Sequence, residues 1–244
     1  MASNFASRLG YRLIRSGLRL PLPHFARNFI DKAQLADLLR AYRINCVLDV
    51  GANKGWFSAS LRPLGFDGDI FSFEPIGADH QAIAALSRDD PKWTAFNFAL
   101  GDKEETREFN IVEARDRETV LSSFLSARGA IGEATRKEKV EIRTIDGIYS
   151  SLPFSSKEPR ILLKTDTQGY DINVVRGAAQ TMDRVKLLQA EIAVGHIYEG
   201  APHYTEALSL FESLGFRLID LHLLRRKKDG TVLEYDCVMG KPGA

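Results

Sequence analysis

The segment Val47–Gly55 limits the possible folds more than any other part of the chain. A short apolar run is interrupted only by an acidic residue, glycines follow, and a helical pattern begins at about Trp56. Glycine lets the backbone approach a ligand where a side chain would clash, and open α/β sheets bind ligands at the carboxyl ends of their strands. The segment therefore predicts a strand, a ligand-binding turn and a helix. The candidate cofactor-binding residues here are Asp49, Gly51, Ala52, Asn53 and Gly55.

Strand-like and helical patterns alternate along the rest of the chain. This alternation predicts an α/β fold with a doubly wound, mostly parallel sheet and right-handed crossovers. A C-terminal antiparallel hairpin is expected because Asp229 and Gly230 mark a tight turn. We expect residues 1–42 to form a basic helical extension and residues 43–244 a single domain. The predicted strands are 45–50, 69–74, 93–100, 105–112, 139–145, 160–166, 186–194, 216–224 and 231–239.

Composition excludes several classes of protein. Lys and Arg number 33 against 32 Asp and Glu, so no strong overall charge calls for a nucleic-acid partner. Two cysteines cannot form a disulfide framework or a cysteine-rich zinc site. Because both lie in apolar runs, we expect buried thiols and a cytoplasmic protein. No stretch of 18 apolar residues occurs, so no membrane-spanning helix is expected.

The N-terminus has an unusual charge pattern. No acidic residue precedes Asp31, and we expect Pro21 and Pro23 to end a first helix. A second helix is expected at residues 31–42. This helix can pack on the domain with its charges in solvent, act as a targeting segment, or lie on an anionic membrane. The last option gives weak peripheral contact with the inner membrane surface through residues 1–22. The residues that share one face of the helix are Arg8, Arg12, Arg15 and Arg19.

The glycine turn does not match the phosphate-binding patterns. A dinucleotide fingerprint needs glycine at positions 51, 53 and 56, but Asn53 and Trp56 occupy two of them. Asp49 adds negative charge where a pyrophosphate would lie. A ligand that carries positive charge fits better, and S-adenosylmethionine carries both a sulfonium and an ammonium group.

Two later segments supply further candidates for cofactor binding. Glu74 ends the second predicted strand, 23 residues after Gly51, which is about the offset of the acidic residue that binds ribose hydroxyls in nucleotide-binding sheets. Residues 99–102, Ala-Leu-Gly-Asp, end the third predicted strand, where an adenine would lie. Leu100 and Asp102 are therefore candidates, although Asp102 is equally typical of a turn or a helix cap.

Taken together, these motifs resemble those of a known family. They occur in the order found in FkbM-type methyltransferases, over about residues 45–240. The resemblance implies a class I fold, S-adenosylmethionine as cofactor and, most often, a hydroxyl acceptor. The motifs are Leu-Asp-Val-Gly-Ala-Asn-Lys-Gly (48–55), Phe-Glu-Pro (73–75), Ala-Leu-Gly-Asp (99–102), Thr-Ile-Asp (144–146), Leu-Lys-Thr-Asp-Thr-Gln-Gly-Tyr-Asp (163–171) and Gln-Ala-Glu (189–191).

The chain departs from the family at one motif. The family usually has Lys-Ile-Asp-Val-Glu-Gly-x-Glu, whereas Thr165, Gln168 and Asp171 stand at three of these positions here. One carboxylate is therefore lost at Gln168. Any role that the family gives to that carboxylate is in doubt for this chain.

Methyl transfer to a hydroxyl needs a group that removes the hydroxyl proton. Three candidate catalytic residues lie at or beyond predicted strand ends: Asp166, Glu191 and His196. Glu191 could instead form a buried, purely structural ion pair. His196 could instead be an ordinary loop residue with no catalytic role. The three could also hold a divalent metal, but no metal is expected.

These observations favour an O-methyltransferase that acts on a saccharide or glycolipid. The expected partner is a small molecule or glycan with a free hydroxyl, and the oligomeric state is left open. Two alternatives remain at this stage. The acceptor could be a polyketide, lipid or amine, or the chain could be a non-enzymatic module that binds a nucleotide.

Overall fold

The computed structural model describes residues 22–112, 122–125, 136–195 and 198–243. The strands of these residues are β1 Cys46–Val50, β2 Asp69–Phe73, β3 Trp93–Phe96, β4 Ala99–Leu100, β5 Glu105–Ile111, β6 Arg136–Arg143, β7 Ile161–Thr165, β8 Val185–Ala193, β9 Arg217–Arg226 and β10 Val232–Gly240. The α-helices are α1 Leu22–Ala41, α2 Trp56–Leu61, α3 Gly77–Ser87, α4 Ile145–Ile148, α5 Asp171–Arg176 and α6 Tyr204–Ser213.

Seven strands form the main sheet, in the order β3-β2-β1-β7-β8-β10-β9. Strand β10 runs antiparallel to both of its neighbours, and the other pairs are parallel. The prediction of a doubly wound, mostly parallel sheet with a C-terminal antiparallel hairpin is confirmed. The strand order reverses between β1 and β7, and ligands of such sheets bind outside the carboxyl ends of the strands at that point.

The core lies on both faces of the sheet because β1, β2 and β7 are buried throughout. On one face, Val47 and Leu162 pack with residues of α1, α2 and α3. On the other face, Leu48 and Leu163 pack with residues of α5 and α6. Apolar side chains are thus needed at consecutive positions of each central strand, which accounts for the continuous apolar runs in the sequence.

The predicted third strand, 93–100, is wrong as a single strand. Strand β3 belongs to the main sheet, whereas β4 joins a second sheet in the order β4-β6-β5. The break is at Asn97, whose side-chain amide donates to the carbonyl oxygens of Glu74 and Pro75 at 2.9 and 3.0 Å. These bonds draw the chain across the end of β2, so Leu100 lies beside the cleft described below.

Helix α1 begins at Leu22, earlier than the predicted helix at residues 31–42. Pro23 lies within α1, where a missing N–H in the first turn removes no helical hydrogen bond. The earlier helix that Pro21 and Pro23 were expected to end falls outside the described residues. The four arginines of the N-terminal pattern and Pro21 lie outside the described residues. None of the helices in the described part has the length and hydropathy that a membrane span requires.

Candidate active site

The turn after β1 is shaped by backbone that only glycine fits. Gly51 has φ +72°, and a Cβ atom there would lie 2.1 Å from the carbonyl oxygen of Asp166. The N–H groups of Gly51 and Ala52 both donate to the carbonyl oxygen of Phe73, at 3.0 and 3.1 Å. The turn therefore lies directly against the carboxyl ends of β2 and β7.

Glu74 is held by main-chain donors beside this turn. It is 4% exposed, and its two carboxylate oxygens accept from the N–H groups of Asn53 at 2.7 Å and Ile76 at 2.9 Å. Burial raises the pKa of Glu74 to about 8 although these hydrogen bonds favour the charged form. Each oxygen has a second lone pair, so the carboxylate can also accept from hydroxyl groups of a ligand.

A cleft opens above these groups. Glu74 and Asn53 line one end, Asp166 and Gln168 line the other, and an apolar wall joins them. The combination of an apolar wall with a few polar groups fits a nucleoside that carries a charged side chain. The wall consists of Ile76, Leu100, Phe109 and Phe124.

Asp49 lies behind the glycine turn and does not line the cleft in the part of the chain described. It is fully buried, and its carboxylate accepts from Ser58 Oγ at 2.7 Å. Lys164 Nζ is 3.2 Å from the other carboxylate oxygen of Asp49. The residue thus ties β1 to α2 and β7, and its contacts are structural ones.

Lys164 is a buried cation that the sequence analysis missed. Its ammonium lies 3.2 Å from Asp49 and 3.5 Å from Asp166. Burial alone lowers the pKa of Lys164, but the two carboxylates raise it by more, so its pKa is above its usual value. A charged lysine therefore stands beneath Asp166. The only signal in the sequence is a lysine inside an otherwise apolar strand.

Three other predicted cofactor-binding residues are also not among the described residues that line the cleft. Ala52 is buried in the core cluster of α1, α2 and α3. Gly55 precedes α2 with φ +79°, and a Cβ atom there would lie 3.2 Å from Ile83. Asp102 is exposed and accepts from the hydroxyl of Tyr170 at 3.4 Å. These residues support the turn and the second sheet.

At the other end of the cleft, one side-chain amide joins two predicted catalytic residues. Gln168 Nε2 lies 3.0 Å from Asp166 Oδ1 and 3.1–3.2 Å from both carboxylate oxygens of Glu191. The hydroxyl of Tyr198 donates to Gln168 Oε1 at 2.6 Å, which orients the amide. Ser123 Oγ donates to the backbone carbonyl of Gln168 at 2.8 Å and holds the loop.

The two carboxylates of this cluster differ in environment. Burial, followed by the charges of Asp166, Glu234 and Asp171, raises the pKa of Glu191 well above its usual value. The Asp166 side chain is 41% exposed, lines the cleft and has Lys164 beside it. Asp166 is therefore the carboxylate that faces the cleft, and Glu191 lies behind Gln168 with a raised pKa.

The third predicted catalytic residue, His196, lies outside the described residues. The part of the chain that is described contains no group of three or more His, Cys, Asp or Glu side chains arranged to hold a metal ion. The space between Asp166 and Glu191 is taken by the amide nitrogen of Gln168. From the sequence, Gln168 was recognised only as the loss of a carboxylate, and its position between Asp166 and Glu191 was not predicted.

A second cavity of about 310 Å³ lies between α1 and the sheet. Its polar lining includes Gln189, His222 and Asp236, and burial raises the pKa of Asp236 to about 6. Phe57 lines this cavity, and Lys164 Nζ lies 5.4 Å from the centre of its ring. Since Lys164 also contacts Asp166, it lies between a residue that lines this cavity and a residue that lines the cleft.

Comparisons with known proteins agree with this architecture. The family model described as the methyltransferase FkbM domain matches residues 49–218. No curated protein matches the sequence.

Solved structures similar to the chain include a TehB-like SAM-dependent methyltransferase from Corynebacterium glutamicum, with TM-score 0.43, 14% identity and coverage of 98% of this chain and 97% of that chain. Another is the magnesium protoporphyrin IX methyltransferase from Synechocystis with bound SAM, with TM-score 0.44, 9% identity and coverage of 88% of this chain and 79% of that chain.

The family match carries the assignment, since it covers more than half of the chain and includes both ends of the cleft. It contains the glycine turn, Glu74, Asp166, Gln168 and Glu191. The chain therefore belongs to the FkbM methyltransferase family and is a class I S-adenosylmethionine-dependent methyltransferase.

Proposed function

We propose that this enzyme transfers the methyl group of S-adenosylmethionine to a hydroxyl group of a saccharide or glycolipid. The observation that carries the proposal is one cleft with two different ends. Glu74 and main-chain groups lie at one end, and an exposed carboxylate, Asp166, lies at the other. A cofactor that lies along the cleft would bring its reactive part towards that carboxylate.

The residues around the glycine turn fit the cofactor. Glu74 would accept from the ribose hydroxyls, and Ile76 and Leu100 would pack against the adenine. Gly51 and Asn53 would lie against the methionine portion. Asp49, Ala52 and Gly55 would hold the turn from behind. When bound, S-adenosylmethionine would supply a methyl group on a positively charged sulfur, and a nucleophile that bonds to the methyl carbon would release the neutral sulfide S-adenosylhomocysteine.

Asp166 is the proposed proton acceptor. An acceptor oxygen forms its bond to the methyl carbon as the carbon–sulfur bond breaks, and its proton must leave. Asp166 faces the cleft, and Gln168 and Lys164 fix its position. The proton would pass from the acceptor oxygen to the Asp166 carboxylate. His196 stays a second candidate for this role, as a prediction from the sequence.

The cavity below α1 is the proposed place for the rest of the acceptor. Sugars present hydroxyl groups at their edges and C–H groups on their faces. The cavity offers matching groups, since His222, Asp236 and Gln189 are polar whereas Phe57 and Leu38 are apolar. This mixture supports a saccharide or glycolipid over a wholly apolar acceptor.

The test uses the purified full-length chain with S-adenosylmethionine that carries ¹³C in its methyl group. Saccharides and glycolipids are offered in parallel with amino sugars, and the products are examined by NMR. We expect the label in an O-methyl group, and we expect it to be lost with Asp166→Asn. Label that appears only on nitrogen, or only with acceptors that lack a sugar, would overturn the proposal.

A further inference from the structure

Large apolar side chains are exposed at one edge of the molecule. Trp56, Phe29 and Ile30 are 70%, 67% and 62% exposed, more than any other large hydrophobic residue that the structure describes. Leu224 is 46% exposed. Single exposed apolar residues are ordinary, but a group of them at one place marks an interaction surface.

These four residues lie at the same edge of the sheet as the mouth of the cleft. Trp56 is the first residue of α2 and follows the glycine turn at the carboxyl end of β1. On β9, His222 is level with Asp236 of β10, and Asp236 is level with Glu191 near the carboxyl end of β8. Leu224 lies two residues beyond His222, closer still to that end of the sheet. Both side chains therefore belong to the carboxyl edge of the sheet.

Helix α1 brings the other two to this edge. Asp31 Oδ1 lies 3.0 Å from His222 Nδ1, at the level of Glu191. The other end of α1 is at the amino edge, because the guanidinium of Arg160, just before β7, donates to the carbonyl oxygen of Tyr42. Phe29 and Ile30 precede Asp31 and so extend further towards the cleft mouth.

Basic residues surround this apolar group. Lys32 is exposed beside Phe29 and Ile30, and Lys227 and Lys228 are exposed in the β9–β10 turn. One carboxylate in that turn, Asp229, accepts from the N–H of Thr231. The 21 residues before α1 contain four more arginines in one helical pattern and no acidic residue. The charge is therefore predominantly positive around an apolar centre.

We propose that this surface, which we call the mouth rim and define as Phe29, Ile30, Trp56, Leu224 and Lys227–Lys228, docks on an anionic lipid bilayer. Apolar residues would enter the headgroup boundary, and each basic residue near the surface would strengthen binding about fivefold. The cleft would then open towards the lipid surface. A second copy of the chain is disfavoured as the partner because two positive rims repel each other.

The inference deepens the proposed function and rests on it for the choice of a glycolipid acceptor. A lipid-linked sugar lies at the bilayer surface, where a docked cleft could reach it. An enzyme for free saccharides would gain nothing from such a surface. The mouth rim therefore favours the glycolipid over the free saccharide.

Trp56 provides a direct reporter of docking. The chain has two tryptophans, and Trp93 is 7% exposed with its indole N–H donating to Ser72 Oγ at 2.9 Å. Vesicles of phosphatidylcholine with phosphatidylserine should shift the emission to shorter wavelength, and brominated lipids should quench it. Neutral vesicles should give a smaller change. Trp56→Phe leaves Trp93 as the emitter and should abolish the response.

Vesicle sedimentation with matched variants tests the surface as a whole. Phe29→Ser with Ile30→Ser, and Lys227→Glu with Lys228→Glu, should each weaken binding at least tenfold. The control is Leu218→Ser, because Leu218 is 44% exposed near the start of β9, at the amino edge. The control should bind vesicles as the unchanged protein does.

Equal binding by the mouth-rim and control variants would overturn the inference. So would a Trp56 emission that responds to protein concentration but not to vesicles, since the rim would then contact a second copy. Methyl transfer to soluble saccharides and to glycolipids dispersed in detergent, measured without vesicles, tests the proposed function separately. If the protein binds vesicles but methylates none of these acceptors, the proposed acceptor is rejected and membrane docking stands. If it methylates them but does not bind vesicles, only membrane docking is rejected.

Discussion

At the Glu74 end of the cleft the ligand-facing groups are fixed by the main chain, whereas at the Asp166 end they are fixed by side chains. Both Glu74 oxygens accept from backbone N–H groups. By contrast, Asp166 is positioned by the side chains of Gln168 and Lys164, and Gln168 in turn by Tyr198. The two ends of one cleft thus obtain their geometry from different kinds of contact.

The difference follows from the task of each end. A cofactor common to a large family can be bound by a backbone shape that tolerates changes elsewhere. Proton removal depends on the charge of one carboxylate, and only neighbouring side chains adjust that charge locally. Variants of the Glu74 end should therefore change cofactor affinity, and variants of the Asp166 end should change turnover.

The largest expected effect is at Asp166. Asp166→Asn keeps the side-chain shape but removes the proton acceptor, so turnover should fall by about 10²–10⁴. Cofactor affinity, measured by titration calorimetry, should stay unchanged. Glu191→Gln should cost far less, because Glu191 lies behind Gln168 and does not line the described part of the cleft. Equal losses for the two variants would remove the distinction between the carboxylates.

Gly51→Ala should destabilise the turn after β1, which lies between the Glu74 end and the Asp166 end of the cleft. Its Cβ atom would lie 2.1 Å from the backbone oxygen of Asp166, so we expect a loss of about 3–5 kcal/mol in unfolding free energy. Gly65→Ala is the matched control, because Gly65 also has a positive φ of +86° but nothing lies within 4 Å of its Cβ position. That control should lose only about 1 kcal/mol. Denaturant unfolding measures the free energy of unfolding of both variants. Similar losses would mean that the positive φ angle, and not the clash with Asp166, causes the destabilisation.

Glu74→Ala should weaken binding of S-adenosylmethionine by about 1–3 kcal/mol, the cost of leaving buried hydrogen-bonding groups without their partner. Turnover at saturating cofactor should change little, because Glu74 lies at the far end of the cleft from Asp166. Glu141→Ala, an exposed carboxylate paired with Arg143, serves as the control in the same calorimetric titration. Unchanged affinity in Glu74→Ala would reject the ribose assignment.

The raised pKa of Glu74 also predicts a pH dependence of stability. A carboxyl whose pKa rises on folding, here to about 8, contributes most below its unfolded value of 4.5 and loses that contribution as pH rises towards 8. The stability of the unchanged protein relative to Glu74→Gln should therefore fall between pH 5 and 8, by at most about 1.4 kcal/mol per pH unit. Urea unfolding across this range measures it, and a flat difference would show that Glu74 titrates normally.

The smallest effect is expected at Gln168. Gln168→Glu adds a negative charge beside Asp166 and Glu191, which should raise the pH of half-maximal turnover by about one unit. Gln168→Met removes the amide without adding charge and serves as the comparison. A pH profile that is the same in all three proteins would show that Gln168 has only a structural role.

The same division determines what the sequence could predict. Strand β1, the glycine turn and Glu74 follow one another within 30 residues, so local pattern and spacing placed them correctly. The break at Asn97 was missed because it depends on carbonyl groups at the end of a different strand. Helix α1 was predicted too short because proline in a first turn resembles proline at a helix end.

The Asp166 end was predicted as a set of residues but not as an arrangement. Asp166 and Glu191 were expected at strand ends, and both are there. The amide that joins them depends on Tyr198 and Ser123, which lie 30 and 45 residues from Gln168. No local pattern encodes contacts between such distant segments, so the loss of a carboxylate at Gln168 gave no indication of its bridging position.

A crystal structure of the enzyme with S-adenosylhomocysteine tests the central claim most directly. The account predicts ribose hydroxyls within hydrogen-bonding distance of Glu74, the adenine against Ile76 and Leu100, and the sulfur on the Asp166 side of the cleft. A nucleoside bound in the cavity below α1, or a sulfur directed away from Asp166, would contradict it.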